Sequence, residues 1–217
     1  MKTPREVYAA YTIMPSLQLH QLRVAAVGKL ICDNFENPVN AHDVILACLF
    51  HDMGNIVKFD LTLYPDLLEP EGLEYWRGKQ REFVQKYGTS AHAASVAIAQ
   101  EIGLSDSVVS IIDRVGFSEM ERTAQGDSRE LQVVAYADCR VATHGVVSLE
   151  DRFDEAIGRY THRYQTVEDA SAAYAGYKKI GLEIERKILS ETSITSNDIH
   201  DASVAPLVEE LWEYPLA

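Results

Sequence analysis

Basic charge is scarce in this chain: 20 Lys and Arg stand against 33 Asp and Glu, for a formal net charge of -13 and a pI near 4.9. Phosphate backbones are held mainly by clustered Lys and Arg, so no polymeric nucleic acid is expected as a partner. A small phosphorylated metabolite stays open, because a bound metal with a few local cations reverses the sign of the field inside one pocket. Long apolar runs are also lacking, and nothing approaches the roughly 18 continuous apolar residues of a membrane span. The start, Met-Lys-Thr-Pro-Arg-Glu-Val-Tyr, has neither the apolar stretch nor the small-residue cleavage pattern of a secretory signal. These absences predict a soluble protein with no membrane partner. Cysteine is limited to Cys32, Cys48 and Cys139, widely separated and each in apolar sequence. That excludes a disulfide framework and suits reduced core thiols in a cytoplasmic setting.

Sustained period-two alternation is missing too, which removes the usual strand signal. What is present instead is apolar residues three and four apart almost throughout, so the expected fold class is all-α. With 217 residues at 47% hydrophobic content, a sizeable core needs no staples. Thr3-Pro4 with Glu6 reads as a capped first helix, and Pro15 opens a second that runs to about Phe35. Asn40 caps a third, for which Gly54 supplies a stop. The stretch from Val57 to Gly72, holding Pro65 and Pro70, reads as a loop beside the site that carries substrate selectivity. Helices follow from about Glu71 to Tyr87, from Thr89 or Ser90 to Gly103, and from Ser105 to about Val115. Glu119 to Arg129, rich in charge, reads as a loop before the next helix. Later helices are expected from Ser148 to about Tyr164, from Val167 to about Leu189, and in a short segment ending at Trp212. Aromatics at helical spacing usually fill helix interfaces, so Tyr160, Tyr164, Tyr174 and Tyr177 are expected to pack. No internal repeat or low-complexity tract is present.

The most informative feature is His51-Asp52, which ends the apolar run Val44 to Phe50 in Ala-Cys-Leu-Phe-His-Asp-Met-Gly-Asn. An imidazole nitrogen beside a carboxylate suits a first-row divalent ion, but two donors do not complete a coordination shell. Two further ionisable residues sit in apolar, helix-like sequence: His20 in Leu-Gln-Leu-His-Gln-Leu-Arg-Val-Ala-Ala-Val, and Asp138 in Leu-Gln-Val-Val-Ala-Tyr-Ala-Asp-Cys-Arg-Val-Ala-Thr. A carboxylate on a face of Val134, Ala135 and Val141 is costly to bury unless a cation or strong hydrogen-bond donor meets it. A pairing of Asp138 with Arg140 is the plain alternative to metal binding.

These residues, in this order, resemble the HD-domain superfamily of metal-dependent phosphohydrolases, whose pattern is a His, a later His-Asp pair and a distant Asp on separate helices. The resemblance covers roughly residues 15 to 145 and leaves 146 to 217 as a helical C-terminal extension of one HD-type domain, read as support. It implies an HD-type helical bundle in which His20, His51, Asp52 and Asp138 hold one divalent ion, with water and substrate phosphate completing the shell. It also implies cleavage of small phosphate esters, with nucleotide phosphomonoesters as the expected substrates. Manganese, cobalt, zinc, nickel and iron, with magnesium as well, are all compatible with the donors. Association into a homo-oligomer stays open.

Some relatives add two histidines between the pair and the last Asp to hold a second metal. His92, in Thr-Ser-Ala-His-Ala-Ala-Ser, matches the first, whereas the second region reads Ile111-Ile-Asp-Arg-Val-Gly116 and offers only Asp113 as an oxygen donor. A di-iron oxygenase is therefore the alternative enzyme, and a non-catalytic HD binding module the alternative to an enzyme. In the hydrolase reading His92 serves as acid, base or phosphate contact. Lys58 and Arg23 are the expected cationic contacts for substrate phosphate, by proximity to the His-Asp pair and to His20. His42, His144, His162 and His200 have no partner at ligand spacing and read as structural or exposed.

Overall fold

The computed structural model describes residues 2–161 and 164–217, with the side chains of Arg159 and Tyr160 outside the description. His162 and the side chain of Tyr160 thus lie outside the described residues. Among those described there are eleven α-helices and no strand: α1 Pro4–Ala10, α2 Pro15–Cys32, α3 Ala41–Phe50, α4 Leu73–Tyr87, α5 Ala91–Glu101, α6 Asp106–Arg114, α7 Met120–Gln125, α8 Arg129–Cys139, α9 Leu149–Tyr160, α10 Val167–Leu189 and α11 Asp201–Leu211. The fold is all-α. No helix among the described residues is long and apolar enough to cross a membrane.

Capping residues start the helices where the sequence places them. Thr3 and Glu6 bond reciprocally at α1, and Asn40, Ser90, Ser105 and Ser148 each accept the backbone N–H three residues on, satisfying a donor that the first turn leaves orphaned. The ends differ more. The second helix stops at Cys32, three residues before Phe35, and the Ser148-initiated helix stops at Tyr160. The expected loop from Glu119 to Arg129 contains α7, because Met120, Thr123 and Ala124 share one buried face that the surrounding charges obscured. The stretch from Val57 to Gly72 is irregular but holds short 3-10 turns at Asn55–Lys58 and Pro65–Leu68.

At the centre, α2, α3 and α8 pack against one another. Every residue of α3 from Val44 to Phe50 is buried, as are Leu131 to Ala137 of α8. Five of the α3 side chains are large and apolar, each stabilising the fold by about 1.5–3 kcal/mol. Around this centre α6 packs on α3 and α5, α10 on α7, α8 and α9, and α11 on α2. Tyr174 and Tyr177 meet edge to face, and both rings contact Phe117. The three cysteines are free and buried, and burial pushes the Cys32 and Cys139 thiols up to about 12.

Candidate metal centre

The three central helices converge at one corner. His20 lies in the second turn of α2, His51 caps the C-terminus of α3 with Asp52 next to it, and Asp138 sits in the last turn of α8. His20 Nε2 is 3.7 Å from Asp52 Oδ2 and 3.3 Å from Asp138 Oδ1. His51 Nε2 is 3.7 Å and 3.5 Å from the same two oxygens. Bonds of about 2.1 Å to a first-row divalent ion put neighbouring donors about 3.0–3.4 Å apart. His20, His51 and Asp52 each turn a donor atom to one point, all within 4.8 Å of one another, and Asp138 faces both imidazoles from the side of α8. The carbonyl ends of α3 and α8 both reach this corner and add negative potential that favours a cation.

The His51 ring provides a test of fit. Its Nδ1 is 2.8 Å from the Cys48 carbonyl oxygen; a carbonyl only accepts, so Nδ1 carries the proton and Nε2 faces the cluster. Nε2 is buried and has no hydrogen-bond partner. Leaving a buried polar atom unsatisfied costs about 1–3 kcal/mol, and a cation at this corner removes that cost. The electrostatics agree. Burial opposes a charge on His51, yet Asp52 and Asp138 outweigh it and lift the imidazole to about 9. Burial likewise opposes charge on Asp138, but the facing imidazoles of His20 and His51 hold its carboxyl well below the usual range.

Supporting side chains keep the pair in place. Gln21, fully buried beside His20, accepts the backbone N–H of Asp52 through Oε1 at 3.2 Å. Ser95 of α5 accepts the Gly54 N–H at 3.0 Å. Gly54 has φ of -90°, so it is not a left-handed stop. A Cβ there would lie 2.5 Å from the Ala91 carbonyl oxygen and 2.7 Å from the Ser95 nitrogen, so glycine permits close approach of α5.

The four side chains line a cavity of about 550 Å³, within the roughly 300–1,000 Å³ typical of small-molecule sites. Its apolar wall includes Phe59, Leu61, Leu63, Tyr64 and Leu67 from the irregular stretch. Gln80 of α4 ties that stretch down by donating to the Ile56 and Phe59 carbonyls, and Trp76 donates to that of Leu68. Lys58, His92 and Asp113 also line the cavity, with His92 Nε2 3.0 Å from Asp113 Oδ1. Arg23 does not line it; its Nε lies 4.0 Å from Asp201 Oδ1 on α11. Arg140 is not Asp138's partner either, since it donates to Tyr136 and to the Val147, Ser196 and Ile199 carbonyls. His42 contacts the Tyr214 hydroxyl, and His200 caps α11.

Three residues of this region escaped sequence reading: Gln21, Ser95 and Arg152 of α9, which also lines the cavity. Gln21 sits in apolar helical sequence, the same signal that exposed His20. Ser95 and Arg152 carried no such mark.

No curated protein and no solved structure matches the chain significantly. The family model of the HD domain matches residues 18–143, more than half of the chain, a span that contains His20, the His51-Asp52 pair and Asp138. The chain belongs to the HD domain family, the superfamily of metal-dependent phosphohydrolases.

Proposed function

We propose that the protein is a phosphohydrolase that uses one divalent ion, held by His20, His51, Asp52 and Asp138, to cleave a small phosphomonoester, with a nucleotide monophosphate as the favoured substrate class. The observation that carries this reading is the convergence of two imidazoles and two carboxylates, one nitrogen buried without a hydrogen bond, on a cavity of small-molecule size. An ion held by these residues would supply Lewis-acid chemistry, polarising a phosphoryl oxygen and lowering the pKa of water. As the P–O bond to the alcohol breaks, His92 supplies the proton that the leaving oxygen needs, and Asp113 orients its ring. Lys58 offers positive charge to the phosphate from the cavity rim. The apolar wall from Phe59 to Leu67 receives the base or other organic part of the ester. Residues 1–217 act as one HD-type unit, with the segment from 146 onward packed on the core that spans about 15–145.

The test is elemental mass spectrometry on protein purified without chelator, followed by phosphate release from a panel of nucleotides and sugar phosphates. About one divalent ion per chain and hydrolysis of at least one phosphomonoester are expected. Asp52→Ala and Asp138→Ala should lose ion and turnover together while staying helical by circular dichroism. Their loss of metal affinity should exceed the roughly 10- to 100-fold that removing a residue supporting a ligand costs. Full metal and full turnover in both variants contradict the assignment. Two irons per chain favour instead a di-iron oxygenase, with His92 and Asp113 as the added donors.

A further inference from the structure

Arg152 is a buried cation on the cavity wall, and it belongs to α9, beyond the span matched by the family. Only 5% of the residue is exposed. Its Nη1 donates to Glu155 Oε2 at 3.0 Å, and its guanidinium lies 5.9 Å from the centre of the Phe117 ring. Its Nε is buried with no hydrogen-bond partner. Taking a guanidinium out of water is expensive unless its donors are met. Glu155, whose other oxygen accepts from the Thr143 hydroxyl at 3.1 Å, meets Nη1 and leaves Nε unmatched. Asp138, Val141, Ala142, Thr143 and Arg152 all line the same cavity. Arg152 thus faces the same cavity as His20, His51, Asp52 and Asp138.

We propose that Arg152 binds the phosphoryl oxygens of the substrate, a role that the sequence suggested for Arg23. The inference rests on the phosphohydrolase reading above. A guanidinium presents parallel N–H donors that match two oxygens of one phosphate, and it stays charged at any working pH. Glu155 and Phe117 hold the fork in place before substrate arrives. The part of the chain outside the family match thereby supplies recognition for the reacting group.

The experiment titrates metal-loaded wild type, Arg152→Gln and Arg152→Lys with inorganic phosphate, AMP and adenosine by calorimetry, alongside steady-state hydrolysis of p-nitrophenyl phosphate. Arg152→Gln should weaken phosphate and AMP about 10- to 100-fold, the worth of hydrogen bonds to a charged group, and leave adenosine unchanged. Its KM should rise more than its kcat falls, and Arg152→Lys should restore part of the loss. Should Arg152→Gln not fold, Arg152→Lys carries the test, since it keeps the buried charge but lacks Nε. Phosphate affinity within about twofold of wild type in Arg152→Gln, or in Arg152→Lys where only that variant folds, overturns the proposal, as does equal weakening of adenosine or absence of phosphate binding in the wild type. Phosphate binding through Arg152 without hydrolysis of any ester overturns the phosphohydrolase reading and leaves this assignment standing.

Discussion

His51 joins the fold to the chemistry through two nitrogens with opposite tasks. Nδ1 is committed to the Cys48 carbonyl, which leaves Nε2 to face two carboxylates. In the metal-free protein those carboxylates raise the imidazole from 6.5 to about 9. A group whose folded pKa is raised holds its proton more tightly when folded. Its stabilisation is therefore fully present below about 6.5 and is lost as pH rises through about 9. Denaturant unfolding of the chelated protein across that window should show stability falling with pH, and His51→Gln should flatten the fall; a flat wild-type profile contradicts the assignment. An ion held as proposed would take the same Nε2, so loading at pH 7 should expel about one proton. Calorimetry in buffers of different ionisation enthalpy reads that proton directly.

Elements rather than single residues bring the donors together. The pair His51-Asp52 leaves α3 into a turn that packs on α5, and the backbone at Gly54 touches the first turns of that helix. Any side chain at Gly54 must push backbone against backbone. Gly54→Ala should cost about 1–3 kcal/mol, as overpacking does in a tight core, and should shift Asp52 enough to weaken metal binding. Thermal unfolding and metal titration together check this; a variant as stable as wild type with full metal affinity would sink the account. The irregular segment after Gly54 is held at both ends by α4, through Gln80 and Trp76. Between those anchors Leu61, Leu63, Tyr64 and Leu67 line the cavity. Trading Leu63 or Tyr64 for Ala should change preference among phosphomonoesters more than it changes metal content, measured as kcat/KM ratios across the panel.

Across the whole molecule, Arg140 fastens the end of α8 to the C-terminal segment. It is almost wholly buried and donates to the Tyr136 hydroxyl and to the carbonyls of Val147, Ser196 and Ile199, while Tyr136 donates to Glu185 of α10. Substitution by Met leaves those acceptors and Glu185 without their cation. Arg140→Met should lower stability by about 3–5 kcal/mol, read by denaturant unfolding, with the metal-centre residues untouched. A loss under about 1 kcal/mol would show that the segment is held by apolar packing alone.

Much of the molecule was determined by the sequence on its own, because the relevant physics is local. Caps such as Thr3, Asn40 and Ser148 satisfy orphaned backbone donors within one turn, and apolar spacing selects helix over strand wherever it is sustained. His20, the His51-Asp52 pair and Asp138 were legible because ionisable groups in apolar helices need compensation. Tertiary structure alone decided the rest. The helix at Met120 formed because its small buried face found α8 and α10. Arg23 turned to Asp201 while Arg152 entered the cavity. A cation's place depends on which carboxylates and walls surround it after folding, and those partners lie far away in the chain, where no local periodicity records them.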